Sequence, residues 1–202
     1  MFIERPLNYF KAFYKGATWR LNKDKKIIYL TFDDGPVPEV TPKVLDILDS
    51  YGIKATFFCV GQNVEKYPLV YKEVLDRGHA VGNHTHNHVK GFACNNADYF
   101  ANVALAAHFI DSDLFRPPYG RIKPSQLREL KKKYTVVLWD LITRDYNRKL
   151  SPEYILINIK SLTRKGSIIV FHDSLKAEKN VLAVLPRAIE FWQKKGYQFG
   201  LL

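Results

Sequence analysis

Short apolar runs and longer amphipathic segments follow one another along the chain almost without interruption. The short runs predict strands over residues 26–32, 54–60, 79–82, 114–117, 134–141, 167–171 and 197–199. The longer segments predict helices over residues 40–51, 64–77, 97–110, 125–133, 152–163 and 181–195. This alternation is typical of parallel strands joined by right-handed crossovers. Seven such strands suit a barrel better than a small open sheet, and in barrels the chemistry lies at the carboxyl ends of the strands.

The organisation predicted from this pattern is one domain over residues 1–202. No repeat, low-complexity tract or linker divides the chain, and its length suits one core. Residues 1–25 form a short extension that we expect to pack on this domain. Within it, Leu7, Phe10 and Tyr14 fall on one helical face beside Lys11. A helix lying on a membrane surface is the alternative to a packed helix, so peripheral membrane contact stays open.

Charge and targeting signals narrow the class of protein only slightly. The formal net charge is +11, but the basic residues are spread in short groups, which is typical of a solvated surface rather than of a nucleic-acid binder. No signal peptide is evident at the N-terminus, and no apolar run approaches the roughly 20 residues of a membrane span. We therefore expect a cytoplasmic protein. Cys59 and Cys94 form no thiolate metal pattern, and a disulfide between them is not expected.

Two adjacent carboxylates close the first predicted strand, in the segment TFDDGP at residues 31–36. Neighbouring strand residues point to opposite faces, and two carboxylates repel each other. Gly35 and Pro36 end the strand, which would let Asp33 and Asp34 turn toward one cleft. One carboxylate could then bind a cation while the other transfers a proton. Taken alone, however, the segment is better explained as a solvated Asp-Gly turn.

Three histidines, His84, His86 and His88, lie within five residues. Histidines at i and i+4 meet on one face of a helical turn, whereas histidines at i and i+2 suit a strand. The pairs His84/His88 and His84/His86 are therefore alternative sets of metal ligands. A carboxylate from Asp33 or Asp34 would complete a His-His-carboxylate set that leaves positions for water and substrate, as in catalytic metal sites.

An arginine lies near the end of the strand predicted at residues 114–117, and a tyrosine follows that strand. The prolines at 117 and 118 fix the backbone there, so Arg116 and Tyr119 are held in place. A rigid arginine beside a metal can keep a carboxylate ionised by charge pairing. A surface arginine in a loop is the alternative.

Further candidates lie at the end of the strand predicted at residues 134–141 or after it, and directly after the strand predicted at residues 167–171. Asp140, next to Trp139, and Asp145 are both candidates, with an exposed loop ion pair as the alternative for each. His172 comes directly after four apolar residues, where it can titrate near neutral pH. A capping or core histidine explains that position equally well.

Taken together, these segments resemble the motif series of the polysaccharide deacetylase (NodB homology) family, carbohydrate esterase family 4. The motifs are TFDDGP, HTxxH, RPPYG, a segment from WD to RDY, and IVFHD, in that family's order over residues 31–173. Each motif is modest alone, but the ordered set is specific. The resemblance implies an α/β fold, a distorted, incomplete (β/α) barrel of about seven parallel strands, in agreement with the alternation described above.

The resemblance also implies a metal site. Asp34, His84 and His88 would bind one divalent ion, leaving His86 as a bystander. Zinc suits two histidines and a carboxylate best, and cobalt, nickel or iron fit the same ligands.

The same resemblance assigns the proton-transfer groups. Asp33 would be the general base, with Arg116 orienting it and keeping it ionised. His172 would be the general acid, with Asp145 as its partner.

Three further residues would contact the acetyl group. The resemblance implies that Val170, with Trp139, forms an apolar pocket for the methyl, and that the backbone N–H of Tyr119 stabilises the oxyanion. One departure is visible, because the position after Asp145 is often tryptophan in the family and here is Tyr146.

The resemblance therefore implies a metal-dependent hydrolase that removes N-acetyl, or alternatively O-acetyl, groups from an amino sugar or polysaccharide. A catalytically inactive carbohydrate-binding module of the same fold is one rival, and a deacylase of a non-polymeric amide is another. The sequence indicates neither the exact substrate nor the oligomeric state.

Overall fold

Strands and helices alternate along residues 4–202, the part of the chain that the computed structural model describes; the side chains of residues 8–10 lie outside the description. The strands are β1 (Ile27–Asp33), β2 (Thr56–Cys59), β3 (Ala80–Asn83), β4 (Leu114–Phe115), β5 (Thr135–Val136), β6 (Leu141–Ile142), β7 (Ile168–His172) and β8 (Gln198–Phe199). The helices are α1 (Asn8–Phe13), α2 (Thr41–Ser50), α3 (Gly61–Lys66), α4 (Pro68–Asp76), α5 (Asn96–Ala107), α6 (Pro124–Leu130), α7 (Pro152–Leu162) and α8 (Glu178–Lys194).

Seven of the strands form one curled sheet in the order β5-β4-β3-β2-β1-β7-β6, and β8 pairs separately with the start of β1. The pairs along this path are all parallel. Among the described residues, no pairing joins β5 to β6, so the barrel does not close. The predicted α/β fold, an incomplete (β/α) barrel of parallel strands, is confirmed.

Residues of the N-terminal extension lie in the gap of this barrel. Thr18 forms a parallel bridge with Val137, and Arg20 forms an antiparallel bridge with Ser167. Tyr14 is buried against the core, whereas Leu7 is 45% exposed, and the side chain of Phe10 lies outside the described residues. The backbone N–H of Ile142 in β6 also donates to the Glu4 carbonyl at 2.9 Å, so the described part of the extension contacts both edges of the sheet.

Side chains alternate across β1 and so divide the core into two layers. Ile28, Leu30 and Phe32 pack in the large apolar cluster that includes α2 and α8, whereas Tyr29 lies in a separate cluster with Ile168 of β7. Since successive strand residues point to opposite faces, Asp33 lies on the same face as Tyr29, inside the barrel.

Two predicted elements are each divided in the structure. The helix predicted over residues 64–77 is α3 followed by α4, because Pro68 lacks a backbone N–H and begins a new helix. The strand predicted over residues 134–141 is β5 and β6, which lie at opposite edges of the sheet.

Cys59 and Cys94 are both free thiols. No helix of the described residues is long and apolar enough to span a membrane.

Candidate active site

The carboxyl ends of β1 and β7 bring an acid and a histidine side by side. Asp33 and His172 are register partners in this parallel pair. The chain then leaves the strand geometry at Asp34, whose φ of 83° is in the left-handed region. As a result the carboxylates of Asp33 and Asp34 lie 4.0 and 3.8 Å from the same His84 Nε2 atom. Both carboxylates therefore face one cleft, so the solvated Asp-Gly turn, which better explained the TFDDGP segment taken alone, is wrong.

Asp34, His84 and His88 offer one ligand atom each within 4.8 Å of one another. The Nδ1 atom of His84 lies 2.7 Å from the carbonyl oxygen of Arg116, which only accepts, so that nitrogen carries the proton and Nε2 faces Asp34 with a free lone pair. Burial lowers the pKa of His84 to about 4, which keeps the ring neutral. A neutral imidazole is the form that binds a metal ion.

The charge on Asp34 completes this donor set. Burial acts to raise its pKa, but the hydrogen bond from His88 and the positive charge of His172 hold the pKa well below its usual range. Two imidazole nitrogens and an ionised carboxylate suit zinc and the neighbouring divalent transition metals. The residues present therefore fit a divalent ion.

The two histidines converge from a loop and not from a helical turn, so that part of the prediction is wrong. Thr85 and His88 both have positive φ, at 64° and 54°. The loop is held by bonds from the Thr85 N–H to Asn83 Oδ1 at 2.8 Å and from the Val89 N–H to Thr85 Oγ1 at 3.2 Å. These reversals of the backbone, and not the 3.6-residue helical period, bring positions i and i+4 together.

His86 lies between His84 and His88 in the sequence but is not part of the ligand set. Its Nε2 atom lies 3.6 Å from Glu65 Oε2, and its ring stacks on Phe109. The structure therefore groups His84 with His88 and leaves His86 aside.

A fully buried arginine holds Asp33. The Nη1 group of Arg116 donates to Asp33 Oδ1 at 2.6 Å and to Thr31 Oγ1 at 2.8 Å. The guanidinium lies 4.0 Å from the ring centroid of Phe58 and donates further to the carbonyl of Val137. The surface-loop alternative for Arg116 is wrong, because the side chain is fully buried inside the barrel and paired with Asp33.

His172 is held by both oxygens of Asp145. Its Nδ1–H and its backbone N–H each donate to that carboxylate at 2.8 Å. Burial alone would lower the pKa of His172, but the charge and hydrogen bond of Asp145, with smaller contributions from Asp34 and Asp33, raise it to about 9. Asp145 is fully buried, so the exposed-ion-pair alternative is wrong for it.

The three candidate acetyl contacts differ in exposure. Tyr119 is 52% exposed, with its ring centroid 4.7 Å from that of His88 and its φ at 61°. Trp139 is half-buried against Gly120, where an added Cβ would lie 2.4 Å from the indole. Val170 is fully buried, in register with Thr31.

Comparison with known proteins places this arrangement in a family. The model of the polysaccharide deacetylase family matches residues 20–137, more than half of the chain. A peptidoglycan-N-acetylglucosamine deacetylase of Bacillus cereus is 35% identical over 197 residues, covering 91% of this chain and 89% of the relative. The chain belongs to the polysaccharide deacetylase family.

Other relatives of the deacetylase extend this comparison. A chitooligosaccharide deacetylase of Azorhizobium caulinodans is 34% identical, covering 78% of this chain and 79% of the relative. The crystal structure of the Bc1960 peptidoglycan N-acetylglucosamine deacetylase superposes with a TM-score of 0.86 at 29% identity, covering 98% of this chain and 94% of that one. Some relatives are longer, and the chain covers 38% of PgdA from Listeria monocytogenes. The enzyme class predicted from the motifs, a polysaccharide deacetylase, is confirmed.

The sequence interpretation of this deacetylase missed a further buried acid beside the site, Asp173. Asp173 accepts a hydrogen bond from the Gly35 N–H at 3.0 Å and another from Thr41 Oγ1 at 2.6 Å. It thus fixes the turn that carries Asp34. Asp173 lies within the IVFHD motif, but a polar residue after a strand gave no sign that its partner was the backbone of a distant turn.

Asp140 lies outside the candidate active site. It is fully buried, accepting from Arg164 and Ser167, so neither a catalytic position nor an exposed loop ion pair describes it. Asp140 precedes β6 and Asp145 follows it, which puts the two acids at opposite ends of the barrel.

Proposed function

We propose that this chain hydrolyses the acetyl amide of an N-acetylated amino sugar within a polysaccharide, with a divalent ion held by Asp34, His84 and His88. The observation that carries the proposal is the convergence of those three ligand atoms within 4.8 Å beside the register partners Asp33 and His172. A divalent cation bound there supplies Lewis acidity, which polarises a carbonyl and lowers the pKa of water. Zinc is the preferred ion, with cobalt, nickel or iron as alternatives.

Asp33 acts as the general base in this proposal. Its carboxylate faces the cleft while Arg116 neutralises and orients its other oxygen. A carboxylate fixed in this way accepts a proton from water as the water attacks the acetyl carbonyl. Arg116 thus acts as a positioning residue, because its bonds to Thr31 and Asp33 leave the guanidinium buried and away from substrate.

His172 acts as the general acid. Its raised pKa keeps the imidazolium protonated at neutral pH, and Asp145 occupies Nδ1, so the proton available to the leaving amine is on Nε2. The tetrahedral intermediate carries a negative oxygen, which the Tyr119 backbone N–H stabilises. Val170 and Trp139 enclose the acetyl methyl.

The substrate class rests on the relatives. Those compared above are named as peptidoglycan N-acetylglucosamine and chitooligosaccharide deacetylases, which favours an N-acetylglucosamine polymer or oligomer and makes O-acetyl sugars secondary. A wall polymer as substrate would require access to the cell exterior, so a cytoplasmic location is not part of this proposal.

The test is acetate release from N-acetylglucosamine oligomers and from peptidoglycan, with metal-loaded and chelator-treated protein. We expect Asp33→Asn and His172→Ala each to lower turnover by about 10²–10⁴, the usual contribution of one positioned proton-transfer group. Both variants should retain bound metal. The exposed Asp113→Asn is the matched control and should keep full activity.

Three results would overturn the assignment or redirect it. Near-normal turnover in either active-site variant would refute its role. Bound metal without acetate release from any sugar would favour a deacylase of another amide. Neither metal nor release would favour a binding module of the same fold.

A further inference from the structure

A second charged pocket lies at the amino ends of the strands, opposite the candidate active site. Arg20 and Lys23 precede β1, and Arg164 precedes β7. In a parallel barrel these ends form the face opposite to the one that carries Asp33. The pocket is open, with a volume of about 550 Å³, and its lining includes Lys11, Trp19, Arg20, Lys23 and Arg164.

Among residues 4–202, Asp140 is the one carboxylate within ion-pair distance of the cations around this pocket. Asp140 is fully buried and accepts from Arg164 Nε at 2.9 Å and Ser167 Oγ at 2.8 Å. Lys11 Nζ lies 3.5 Å from Asp140, and Arg20 Nε lies 3.9 Å away, so both form ion pairs with it. Arg5 lies at 3.9 Å as well. Within the described residues, the single charge of Asp140 is therefore shared by four cations, Arg5, Lys11, Arg20 and Arg164, which leaves a local excess of three positive charges.

These cations are also partly removed from water. The side chains of Lys11 and Arg20 are only 22% and 17% exposed. Burial lowers the pKa of both groups; the charge of Asp140 opposes this shift and that of Arg164 adds to it, so that both pKa values lie below their ordinary values. The Nε group of Arg20 is buried and makes no hydrogen bond to any residue between 4 and 202. Like charges that are crowded and partly desolvated are unfavourable unless an anion compensates them.

We infer that this pocket binds a phosphate group. Lysine and arginine donors converge on it from the extension and from the segment before β7, and the bidentate bond of Arg164 to Asp140 leaves its Nη1 group outside that pair. A phosphate offers several oxygens and up to two negative charges, which suits this excess better than the single charge of a carboxylate.

The same chemistry is found in free phosphate esters and in phospholipid headgroups. Leu7 and Phe13, on either side of the helix residue Lys11, are 45% and 55% exposed. Apolar side chains at such positions would enter a lipid interface. The experiment therefore compares both sources.

The test uses the full chain and a pair of double variants. Lys11→Gln with Lys23→Gln removes two pocket cations and keeps the bonds of Asp140 to Arg164 and Ser167. Lys179→Gln with Lys194→Gln, on the exposed face of α8, lowers the net charge by the same amount elsewhere. Inorganic phosphate is titrated by calorimetry against chloride at equal ionic strength, and co-sedimentation is measured with phosphatidylglycerol and phosphatidylcholine vesicles.

We expect the pocket variant to bind phosphate about tenfold more weakly or worse, since it loses two charge-assisted contacts, while the α8 variant binds like the wild type. Both variants should deacetylate a soluble oligomer at the wild-type rate. Pocket-dependent sedimentation with phosphatidylglycerol identifies a lipid source, and pocket-dependent phosphate binding without it identifies a soluble one. Equal binding by the two variants, or no binding by the wild type, would overturn the inference.

Discussion

Replacing Asp145 by Asn separates the proposed role of His172 from simple structural damage. The two side chains have the same shape, but Asn carries no charge. The pKa of His172 is about 9, chiefly because Asp145 overcomes the effect of burial. Without that charge, we expect the pKa to fall to the ordinary value of about 6.5 or below.

The size of the effect follows from the fraction of His172 that is protonated. At pH 8 a group with a pKa of about 9 is roughly 90% protonated, whereas one with a pKa of about 6.5 is roughly 3% protonated. If the imidazolium is the acid, turnover at pH 8 falls about thirtyfold from this cause. At pH 6, His172 is still mostly protonated in the wild type and in a variant whose pKa is about 6.5. The loss of protonation therefore lowers turnover by less than about twofold at that pH.

The assay is the pH dependence of kcat for acetate release between pH 5.5 and 10. The alkaline limb of the variant should lie about two pH units or more below that of the wild type. The amide introduced by Asp145→Asn would also place its own donor against the donor groups of His172, which lowers turnover equally at all pH values. An alkaline limb at the same pH in both proteins would refute His172 as the acid tuned by Asp145.

The same pair makes stability depend on pH. A pKa raised in the folded state stabilises the protein fully below the unfolded value of about 6.5, and the contribution is lost as pH rises through about 9. The difference in unfolding free energy between wild type and Asp145→Asn should therefore shrink across that window. Urea unfolding at pH 6 and pH 9.5 measures it.

Three further perturbations test the surrounding residues. Asp34→Ala should empty the metal site, and full metal occupancy by elemental analysis would contradict the ligand set. Arg116→Met should lower the free energy of unfolding by about 3–5 kcal/mol, because Asp33 stays buried without its partner; urea unfolding checks this, and a loss below about 1 kcal/mol argues against a buried pair. Gly35→Ala should abolish most activity, because the new Cβ would lie 1.9 Å from Asp173 Oδ2, and full acetate release by the Gly35→Ala variant would show that this turn does not position Asp34.

Local sequence patterns were sufficient for the order of elements, the fold class and most candidate residues. Hydrophobic periodicity depends on neighbouring residues, so β1, α2 and β7 begin and end within one residue of their predicted bounds. Polar residues at strand ends were equally visible, because a charge directly after an apolar run is a local feature. The ordered motifs then identified the family that the comparisons confirm.

Only the tertiary structure decided where those side chains meet. Asp140 and Asp145 look alike near the end of one predicted strand, but residues 141–142 form a separate strand, β6, which Asp140 precedes and Asp145 follows, so the acids lie at opposite ends of the barrel. His84 and His88 meet because Thr85 and His88 adopt left-handed backbone conformations, which no helical period foretells. Register pairs Asp33 with His172 although most of the chain separates them, and the hydrogen bond that ties Asp173 to Gly35 depends on the same pairing. Such contacts depend on which strands pair and in what register, and those are properties of the folded sheet rather than of any one segment.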